Sequence, residues 1–282
     1  MRILMVGDVV GKPGRQAAQE WIPQLRAEHG ADFVILNGEN AAGGIGITPE
    51  IASALFSQAA VDVITLGNHA WGKRDIFAML DEEPRLLRPA NYPDGAPGRG
   101  YGVFESPAGR IGVAALQGRT FMDPVDDPFR AADVILEALH AQTRTVWIDF
   151  HAEATSEKQA MGWYVDGRAS AVVGTHTHVQ TADERILPGG TAYLTDVGMT
   201  GPIDSVIGMK RELILARFTS LLPVRFEVAE GEAQLCGVLV DVDKNTGHAT
   251  SIQRLQVPGY AGLRASQTGP ASGPDENAIH SS

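Results

Sequence analysis

The sequence contains one cysteine in 282 residues, Cys236, so an internal disulfide is impossible. Proteins of oxidising compartments commonly rely on disulfides, whereas proteins of reducing compartments do not. Cys236 lies in an apolar stretch, which indicates a packed side chain rather than a reactive thiol. The cysteine content therefore predicts a cytoplasmic protein.

Long hydrophobic runs are also lacking. The stretch from Met1 to Gly7 is interrupted by Arg2 and followed by Asp8. It is too short for a secretory signal peptide or for a membrane-spanning helix, which needs about 20 apolar residues. We therefore expect no export signal and no membrane partner.

Basic residues are scarce relative to acidic ones: 23 Lys and Arg stand against 34 Asp and Glu, for a net charge of -11. A general nucleic-acid binder must neutralise many phosphates, so this balance argues against one. A small phosphate-bearing substrate would instead need local positive charge, which bound divalent metal ions can supply.

Apolar residues make up 44% of the chain, which is enough to bury a full core. Strand-like and helix-like segments alternate from the N-terminus, and this alternation is typical of βαβ units in an α/β fold. Beyond Pro258 the composition shifts to Gly, Ser, Pro and Ala. We predict one domain over residues 1–258 and a disordered tail over residues 259–282 with no role in the chemistry.

Five short apolar stretches each end in polar residues that can bind a metal ion. Such runs between helical patterns are typical of sheets covered on both faces, which bind ligands beyond the carboxyl ends of their strands. The five ends should therefore meet in one crevice. The stretches are Arg2 to Gly7 before Asp8, Asp32 to Gly38 before Glu39 and Asn40, Val61 to Gly67 before Asn68 and His69, Thr145 to Phe150 before His151, and Ala169 to Val173 before Gly174.

The last of these ends carries two histidines, in the sequence Gly174-Thr175-His176-Thr177-His178. Side chains at i and i+2 share one face of an extended chain, so both imidazoles are predicted to reach one site where the extended geometry breaks. A lone His-x-His pair is explained as well by two surface histidines, because short metal motifs often match by chance. The other four polar strand ends favour a metal site.

The remaining elements follow from periodicity, glycine and proline. Residues 9–15 are rich in Gly and include Pro13, and we interpret them first as a turn that joins the first strand to a helix. The second interpretation is that this turn contacts a phosphate at the N-terminus of the helix. Pro23 is expected to kink or split that helix, and Thr48 and Thr155 to cap later ones. Predicted helices cover residues 16–29, 49–59, 129–142 and 155–163, with another opening at 71–75; further strands cover residues 101–105, 110–116, 191–195, 224–228, 234–241 and 249–257, with a hairpin turn at 244–248.

The candidate ligands combine carboxylates, amides and imidazoles without a thiolate: Asp8, Glu39, Asn40, Asn68, His151, His176 and His178. This mixture suits iron, manganese or zinc better than it suits a structural zinc cage. Seven ligands exceed the needs of one tetrahedral ion and fit two ions about 3.5 to 4 Å apart that share a carboxylate. We expect two divalent or trivalent ions per chain, with iron as the first candidate and manganese and zinc as alternatives.

The same residues resemble a known family. Their order, Gly7-Asp8, Gly38-Glu39-Asn40, Gly67-Asn68-His69, His151 and Gly174-Thr175-His176-Thr177-His178, is similar to that of the calcineurin-like metallophosphoesterases. The segments Asn40 to Gly44, Phe150 to Ala154 and Thr195 to Met199 resemble the YmdB-like branch of bacterial phosphodiesterases. Over roughly Met1 to Val257, this resemblance implies a four-layer α/β/β/α sandwich, a dinuclear centre and hydrolysis of phosphodiesters, with 2′,3′- or 3′,5′-cyclic nucleotides as the expected substrates.

The sequence departs from the wider superfamily at two positions. The first motif usually reads Asp-x-His, and Val10 occupies the histidine position; the second usually supplies a bridging Asp, where Glu39 stands. Asn40 is the candidate that fills the vacancy. By analogy with the branch, one ion would be bound by Asp8, Glu39, Asn40 and His178, and the other by Glu39, Asn68, His151 and His176.

His69 is predicted to be a proton donor and not a ligand. Adjacent residues at a strand end point apart, so His69 can face the substrate while Asn68 faces the metal. A metal-bound hydroxide would supply the nucleophile, which leaves protonation of the departing alkoxide to a side chain that titrates near neutrality. The alternative is a structural role for His69 beside the site. Asp196 is expected to be either a turn residue or a support for a histidine ligand.

Two other functions stay open from the sequence. A phosphatase for phosphomonoesters or phosphoproteins would use the same centre and differ in its pocket walls. A regulatory protein that binds a nucleotide with little turnover would have no need of a proton donor such as His69. We predict an enzyme whose partner is a small phosphodiester substrate. The oligomeric state is left open, a homo-oligomer included.

Overall fold

The structure is a computed structural model that describes residues 1–258. The predicted tail, residues 259–282, lies outside the described residues. The strands are β1 Arg2–Val6, β2 Asp8–Val9, β3 Phe33–Asn37, β4 Val63–Thr65, β5 Leu86–Leu87, β6 Tyr101–Ser106, β7 Gly109–Gln117, β8 Val146–His151, β9 Ala171–Thr175, β10 Arg185–Ile186, β11 Ala192–Leu194, β12 Met199–Pro202, β13 Ala233–Val242 and β14 Ala249–Val257. The helices are α1 Gly11–His29, α2 Pro49–Gln58, α3 Ile76–Glu82, α4 Pro128–His140, α5 Thr155–Tyr164 and α6 Arg211–Ser220.

The strands form two sheets. The first has the order β2-β12-β13-β1-β3-β4-β5, with β14 paired to β13, and its strands β1, β3, β4 and β5 are parallel to one another. The second has the order β10-β11-β9-β8-β7-β6, with β7, β8, β9 and β11 parallel. Parallel strands joined through helices bring their carboxyl ends to the same edge of each sheet.

The alternation of side chains along the strands creates three apolar layers. In β1, Leu4 and Val6 pack with α1, α2 and α3, whereas Ile3 and Met5 pack against the second sheet. In β8, Trp147 faces the first sheet, and Ile148 and Phe150 pack with α4 and α5. Successive strand residues point to opposite faces, so each sheet buries both of its faces. The result is the four-layer α/β/β/α sandwich, which confirms the predicted fold class.

The first helix differs from its prediction. It begins at Gly11 instead of Gln16, because the left-handed Gly11 (φ 59°) turns the chain directly out of β2. Pro23 lies inside the helix without splitting it. The buried Ile22 and Leu25 on either side hold both halves of the helix against the sheet, which offsets the backbone hydrogen bond that proline removes.

Two other local predictions are wrong. Some short elements were also missed. Thr155 is the first residue of α5, and its side chain makes no capping hydrogen bond. Residues 224–228 form no strand: only Val228 pairs, in an isolated bridge with Met209, and the alternation there reflects an exposed, extended segment. The missed elements are the short strands β5, β10 and β12 and the helix α6, and α6 is weakly amphipathic because only its Ile214 is buried. The Thr48 cap is confirmed, since its hydroxyl accepts from the Ile51 amide.

Within residues 1–258, no helix combines the length and the apolar character that crossing a membrane would require.

Candidate metal centre

The eight candidate residues lie together at the carboxyl edges of both sheets. Asp8 follows β1, Glu39 and Asn40 follow β3, and Asn68 and His69 follow β4 in the first sheet; His151 ends β8, and His176 and His178 follow β9 in the second. The crevice between the two sheets therefore collects candidate metal ligands from five strand ends. Asp8, Glu39 and His151 are 0% exposed, so water does not satisfy their polar atoms.

His151 is the central residue of this cluster. Its Nε2 lies 2.9 Å from Asn68 Oδ1 and 3.1 Å from Glu39 Oε1. Its ring packs edge-on against His176 at 4.7 Å between centroids. The ligand atoms of Glu39, His151 and His176 all lie within 4.8 Å of one another, which is the spacing of side chains that share a cation. Asp8 Oδ1 lies 4.0 Å from His151 Nδ1 and also 4.0 Å from His178 Nε2.

Gly67 shows how tightly the backbone encloses the cluster. A Cβ atom at this position would lie 2.2 Å from His151 Cδ2 and 2.4 Å from Glu39 Oε2. Contacts that short do not occur between unbonded carbon and oxygen atoms, so only glycine fits here. Gly7 and Gly174 also lie close to ligands, one residue before Asp8 and two before His176, and a Cβ on either would strike a backbone oxygen of the adjoining segment.

The donor set fits a cation. Among residues 1–258, three buried oxygens of the cluster have no hydrogen-bond partner: Asp8 Oδ1, Glu39 Oε1 and Asn40 Oδ1. Buried polar atoms are nearly always paired, and leaving one unpaired costs roughly 1–3 kcal/mol. Three such oxygens beside four imidazole rings form a donor set that a bound metal ion would satisfy.

The Asn40 amide has a fixed orientation. Its Nδ2 donates to the carbonyl oxygen of Gly44 at 2.9 Å and lies 3.1 Å from His69 Nδ1. The opposite orientation would place two oxygens against each other at Gly44. Asn40 Oδ1 therefore faces the crevice, where it is buried.

The two histidines after β9 reach the centre through a strained turn. The strand ends at Thr175, and both His176 (φ 94°) and His178 (φ 65°) have left-handed backbones, which cost energy in residues other than glycine. His178 Nδ1 donates to the Ile207 carbonyl at 2.9 Å, so its Nε2 keeps a free lone pair toward Asp8. The extended geometry breaks where the sequence predicted it.

Asp196 and Lys158 hold this turn in place. Asp196 Oδ2 accepts hydrogen bonds from Lys158 Nζ at 2.7 Å, from the Thr177 amide at 3.1 Å and from the Thr177 hydroxyl at 2.6 Å. Both Lys158 and Asp196 are almost fully buried. Breaking a buried ion pair by removing one partner typically costs about 3–5 kcal/mol, so the pair fixes the residue between the two histidines.

Burial and neighbouring charges shift the pKa values of the titratable groups in the centre. Burial raises the pKa of Asp8 to about 6. Burial would also raise the pKa of Glu39, but the charge and hydrogen bond of His151 hold it well below its usual range. Burial opposes protonation of His151, yet Glu39 and Asp8 together raise its pKa to about 9. Burial and the charge of His151 lower the pKa of His176 to about 3, which leaves this imidazole neutral and able to bind a metal.

His69 occupies the outer wall of the centre. Its backbone amide donates to Glu39 Oε2 at 3.1 Å, its Nδ1 lies 3.3 Å from Glu39 Oε1, and its side chain is 33% exposed. His69 is therefore in contact with the cluster and open to solvent, which no other histidine of the candidate set matches, since His176 is 21% exposed and His178 is 7% exposed.

Sequence reasoning missed several polar residues that support the centre. Asp149 interrupts the apolar stretch before His151, and Thr175 stands between Gly174 and His176. A charged residue inside a run that otherwise reads as a buried strand was the available signal for Asp149. Lys158 had no such signal, because its partner Asp196 is 38 residues away.

The family follows from comparison with known proteins. The model of the family described as YmdB-like protein matches residues 4–255, a span that contains every candidate ligand. The chain belongs to the YmdB-like protein family. This membership confirms the resemblance that the motifs indicated.

Relatives cover nearly the same length. A Bacillus subtilis (strain 168) protein named 2′,3′-cyclic-nucleotide 2′-phosphodiesterase is 55% identical over 257 residues, 91% of this chain and 97% of the relative. A crystal structure of a hypothetical protein from Thermus thermophilus has 44% identity and a TM-score of 0.85, over 91% of this chain and 98% of that chain. A Mycoplasma pneumoniae crystal structure described as a novel phosphatase has 36% identity and a TM-score of 0.86, over 91% and 93%.

These relatives confirm that the chain is an enzyme, a hydrolase of the phosphatase and phosphodiesterase class within the YmdB-like family. Metallophosphoesterases of this kind use divalent metal ions, and the group of Glu39, His151 and His176 offers donors that fit one.

Proposed function

We propose that the chain hydrolyses small phosphodiesters, with 2′,3′-cyclic nucleotides as the first expected substrates and 3′,5′-cyclic nucleotides as the second. The observation that carries the proposal is the convergence of unpaired, buried oxygens from Asp8, Glu39 and Asn40 on the histidines of the second sheet. The name of the Bacillus subtilis relative, at 55% identity, supports the 2′,3′-cyclic class.

Two metal ions would be held by two groups of residues that share Glu39. Asp8, Asn40 and His178 would bind the first with Glu39, because His178 Nε2 and Asp8 Oδ1 face each other. Asn68, His151 and His176 would bind the second with Glu39, because Asn68 Oδ1 and Glu39 Oε1 both lie close to His151 Nε2 and the ligand atoms of Glu39, His151 and His176 lie within 4.8 Å of one another. Iron is the first candidate, with manganese and zinc as alternatives. When bound, the ions supply positive charge to the phosphoryl oxygens and activate a water molecule.

His69 would donate the proton that the leaving oxygen takes. The donating form is the imidazolium, which carries one proton on Nε2 for the leaving oxygen and one on Nδ1, the atom that lies 3.3 Å from Glu39 Oε1. When the phosphodiester P–O bond breaks, the Nε2 proton passes to the departing oxygen, and the neutral ring that remains takes up its next proton from solvent. The partial exposure of His69 allows this exchange.

The substrate class is tested by turnover of purified enzyme whose metal content has been measured. The panel contains 2′,3′- and 3′,5′-cyclic nucleotides, bis-p-nitrophenyl phosphate and p-nitrophenyl phosphate. We expect the highest kcat/KM on a cyclic nucleotide and hydrolysis of the aryl diester over the aryl monoester. Preference for the monoester would overturn the diesterase proposal in favour of a phosphatase.

A further inference from the structure

A buried carboxylate lies beneath the candidate metal centre without being one of its ligands. Asp149 is 0% exposed in the middle of β8. Its hydrogen-bond donors come from neutral side chains: Asn37 Nδ2 at 3.0 Å and the Thr65 hydroxyl on Oδ2, and the Thr175 hydroxyl at 2.7 Å on Oδ1. A fully buried charge is costly to keep, and an apolar side chain of similar size is often as stable or more so. Asp149 therefore calls for an explanation other than stability.

The hydrogen bonds of Asp149 run on to His151 through one hydroxyl group. Thr175 Oγ1 lies 2.7 Å from Asp149 Oδ1 and 2.8 Å from His151 Nδ1. A hydroxyl has a single proton, and a carboxylate only accepts, so Thr175 donates its proton to Asp149. The Thr175 oxygen then accepts from His151, which places the imidazole proton on Nδ1.

The consequence is a defined state of the other ring nitrogen. His151 Nε2 is the atom that faces Asn68 Oδ1 and Glu39 Oε1. With the neutral ring's proton on Nδ1, the Nε2 lone pair points into the crevice, as metal binding by a neutral imidazole requires. If the Thr175 hydroxyl turned round and donated to Nδ1, the proton would sit on Nε2 and block that position.

The network also joins the two sheets. Asn37 and Thr65 come from the ends of β3 and β4 in the first sheet, whereas Asp149 and Thr175 belong to β8 and β9 in the second. Asn37 Oδ1 accepts from the Glu39 amide at 3.2 Å. Asp149 is thus linked to Glu39 through Asn37 and to His151 through Thr175.

We propose that Asp149 and Thr175 form a relay that positions His151, with Asp149 orienting the Thr175 hydroxyl so that the Nε2 lone pair of His151 faces the metal centre. Both are positioning residues, since neither side chain reaches the crevice. The expected effect on metal binding rests on the proposed metal-dependent function. The geometry of the relay rests on the hydrogen bonds among Asp149, Thr175 and His151. Partners of this kind typically change metal affinity by about 10- to 100-fold when they are removed.

The structure makes Asp149→Asn the sharpest variant. Asn37 Nδ2 donates to Oδ2, so the new amide should place its oxygen there and its NH₂ toward Thr175. The Thr175 oxygen would then accept from the new amide, and its proton would turn to His151 Nδ1. The relay would be reversed with almost no change in volume.

The test compares four variants: Asp149→Asn, Thr175→Val, Thr175→Ser and Thr200→Val. Thr175→Val removes the hydroxyl and keeps the shape, whereas Thr175→Ser keeps the hydroxyl. Thr200 is the matched control, because its buried hydroxyl has no hydrogen-bond partner in the described part of the chain. Circular dichroism checks that each variant is folded, and titration with Mn²⁺ of metal-free protein gives the affinity.

We expect Mn²⁺ affinity to fall about 10- to 100-fold in Asp149→Asn and Thr175→Val, and to stay within about threefold of the parent in Thr175→Ser and Thr200→Val. A second measurement needs no metal: imidazole ¹⁵N NMR of metal-free protein, with His151 assigned by its loss in His151→Gln. Spectra are taken over the alkaline range, and the tautomer is read from those in which the ring is neutral. The fraction of the Nδ1–H tautomer should be higher in the parent than in Asp149→Asn, in which the ring should shift toward Nε2–H.

Unchanged affinity and tautomer in folded Asp149→Asn would overturn the relay. If Thr175→Val does not fold, the relay is tested by comparing the His151 tautomer in Asp149→Asn with that in Thr175→Ser. If the parent binds no divalent cation, the proposed function fails, while the tautomer still tests the relay.

Discussion

The two ends of the second sheet both carry histidines beside charged residues, yet only one end has the properties of a site. At the amino end, a cavity of about 280 Å³ is lined by His140, Arg144, Arg168 and His248 among others. There Arg168 pairs with Asp133 at 2.6 Å, both side chains are more than 40% exposed, and His140 Nε2 lies 2.8 Å from the Arg168 carbonyl oxygen.

At the carboxyl end the same residue types are buried and incompletely paired. Asp8, Glu39 and His151 are 0% exposed, and oxygens of Asp8, Glu39 and Asn40 lack partners within residues 1–258. Solvent and neighbouring groups satisfy the amino end without a ligand, whereas the carboxyl end needs one. Burial together with unmet hydrogen bonding, and not composition, therefore distinguishes the functional end.

The largest expected effect comes from Glu39→Gln at the carboxyl end. Glu39 is proposed to bind both ions, so the loss of its charge should weaken both metal positions together. We expect metal content to drop for both ions and turnover to fall beyond the roughly 10²- to 10³-fold that loss of one charge-stabilising donor costs. Metal analysis and steady-state kinetics measure this. Asp133→Asn at the amino end is the control, and an equal loss there would erase the distinction between the two ends.

His69→Ala should keep the fold and both metals but lose turnover. General acids typically contribute about 10²- to 10⁴-fold, and the loss should shrink for a p-nitrophenolate leaving group, which needs little protonation. Kinetics on a cyclic nucleotide and on bis-p-nitrophenyl phosphate give the two losses, with His140→Ala as the control. Loss of metal would make His69 a ligand, and equal losses for both substrates would contradict the acid role.

Gly67→Ala should damage the centre through sterics alone. The added methyl would lie 2.2 Å from the His151 ring, so His151 and Glu39 must move apart. We expect Mn²⁺ affinity to fall at least about tenfold, with a destabilisation of about 1–3 kcal/mol, as overpacking usually costs. Gly112→Ala near the amino end of β7 is the control, because its nearest atoms are the flexible Leu139 methyl groups at 3.1 Å. Equal metal binding in both variants would contradict the claim that the backbone at Gly67 packs too closely against His151 and Glu39 to admit a methyl group.

The metal-free enzyme should lose stability at alkaline pH. The folded pKa of His151 is raised to about 9, above the value of about 6.5 for an unfolded histidine. Its contribution is complete below about pH 6.5 and is lost as the pH rises through about 9. Thermal unfolding of metal-free protein between about pH 6 and 10 should show a falling Tm that is absent in His151→Gln. A flat profile in the parent would show that His151 is not held as a cation by Glu39.

The smallest effects are expected at the amino-end cavity. Arg144→Ala and His248→Ala remove exposed side chains, and such substitutions usually change stability by no more than about 0.5 kcal/mol. Turnover should stay within about twofold of the parent in assays with a cyclic nucleotide. A larger loss of turnover would mean that this end of the sheet takes part in function.

The sequence predicted the strand ends well because each carries its own local signal. Asp8, Glu39, Asn68 and His151 follow apolar runs directly, so the rule that parallel strands present their carboxyl ends together was enough to assemble them. Sequence motifs also led to the sandwich. These parts depend on local pattern, which a single sequence contains.

What the sequence did not predict depends on contacts between distant segments. The Lys158–Asp196 ion pair and the Thr65 contact to Asp149 join residues 38 and 84 positions apart. Residues 224–228 alternate like a strand, but they lie exposed and only one of them forms a β-bridge, so they are not part of either sheet. Hydrogen bonding and pairing across the fold decide such cases, and periodicity does not report them.

The central claim is a dinuclear centre built on Glu39, and stepwise restoration of metal-free enzyme tests it most directly. Mn²⁺ is added in fractions of an equivalent while turnover of a 2′,3′-cyclic nucleotide and bound metal are measured on the same samples. The account predicts that turnover rises until two ions are bound per chain and then stays constant. Full turnover with one bound ion per chain would contradict it.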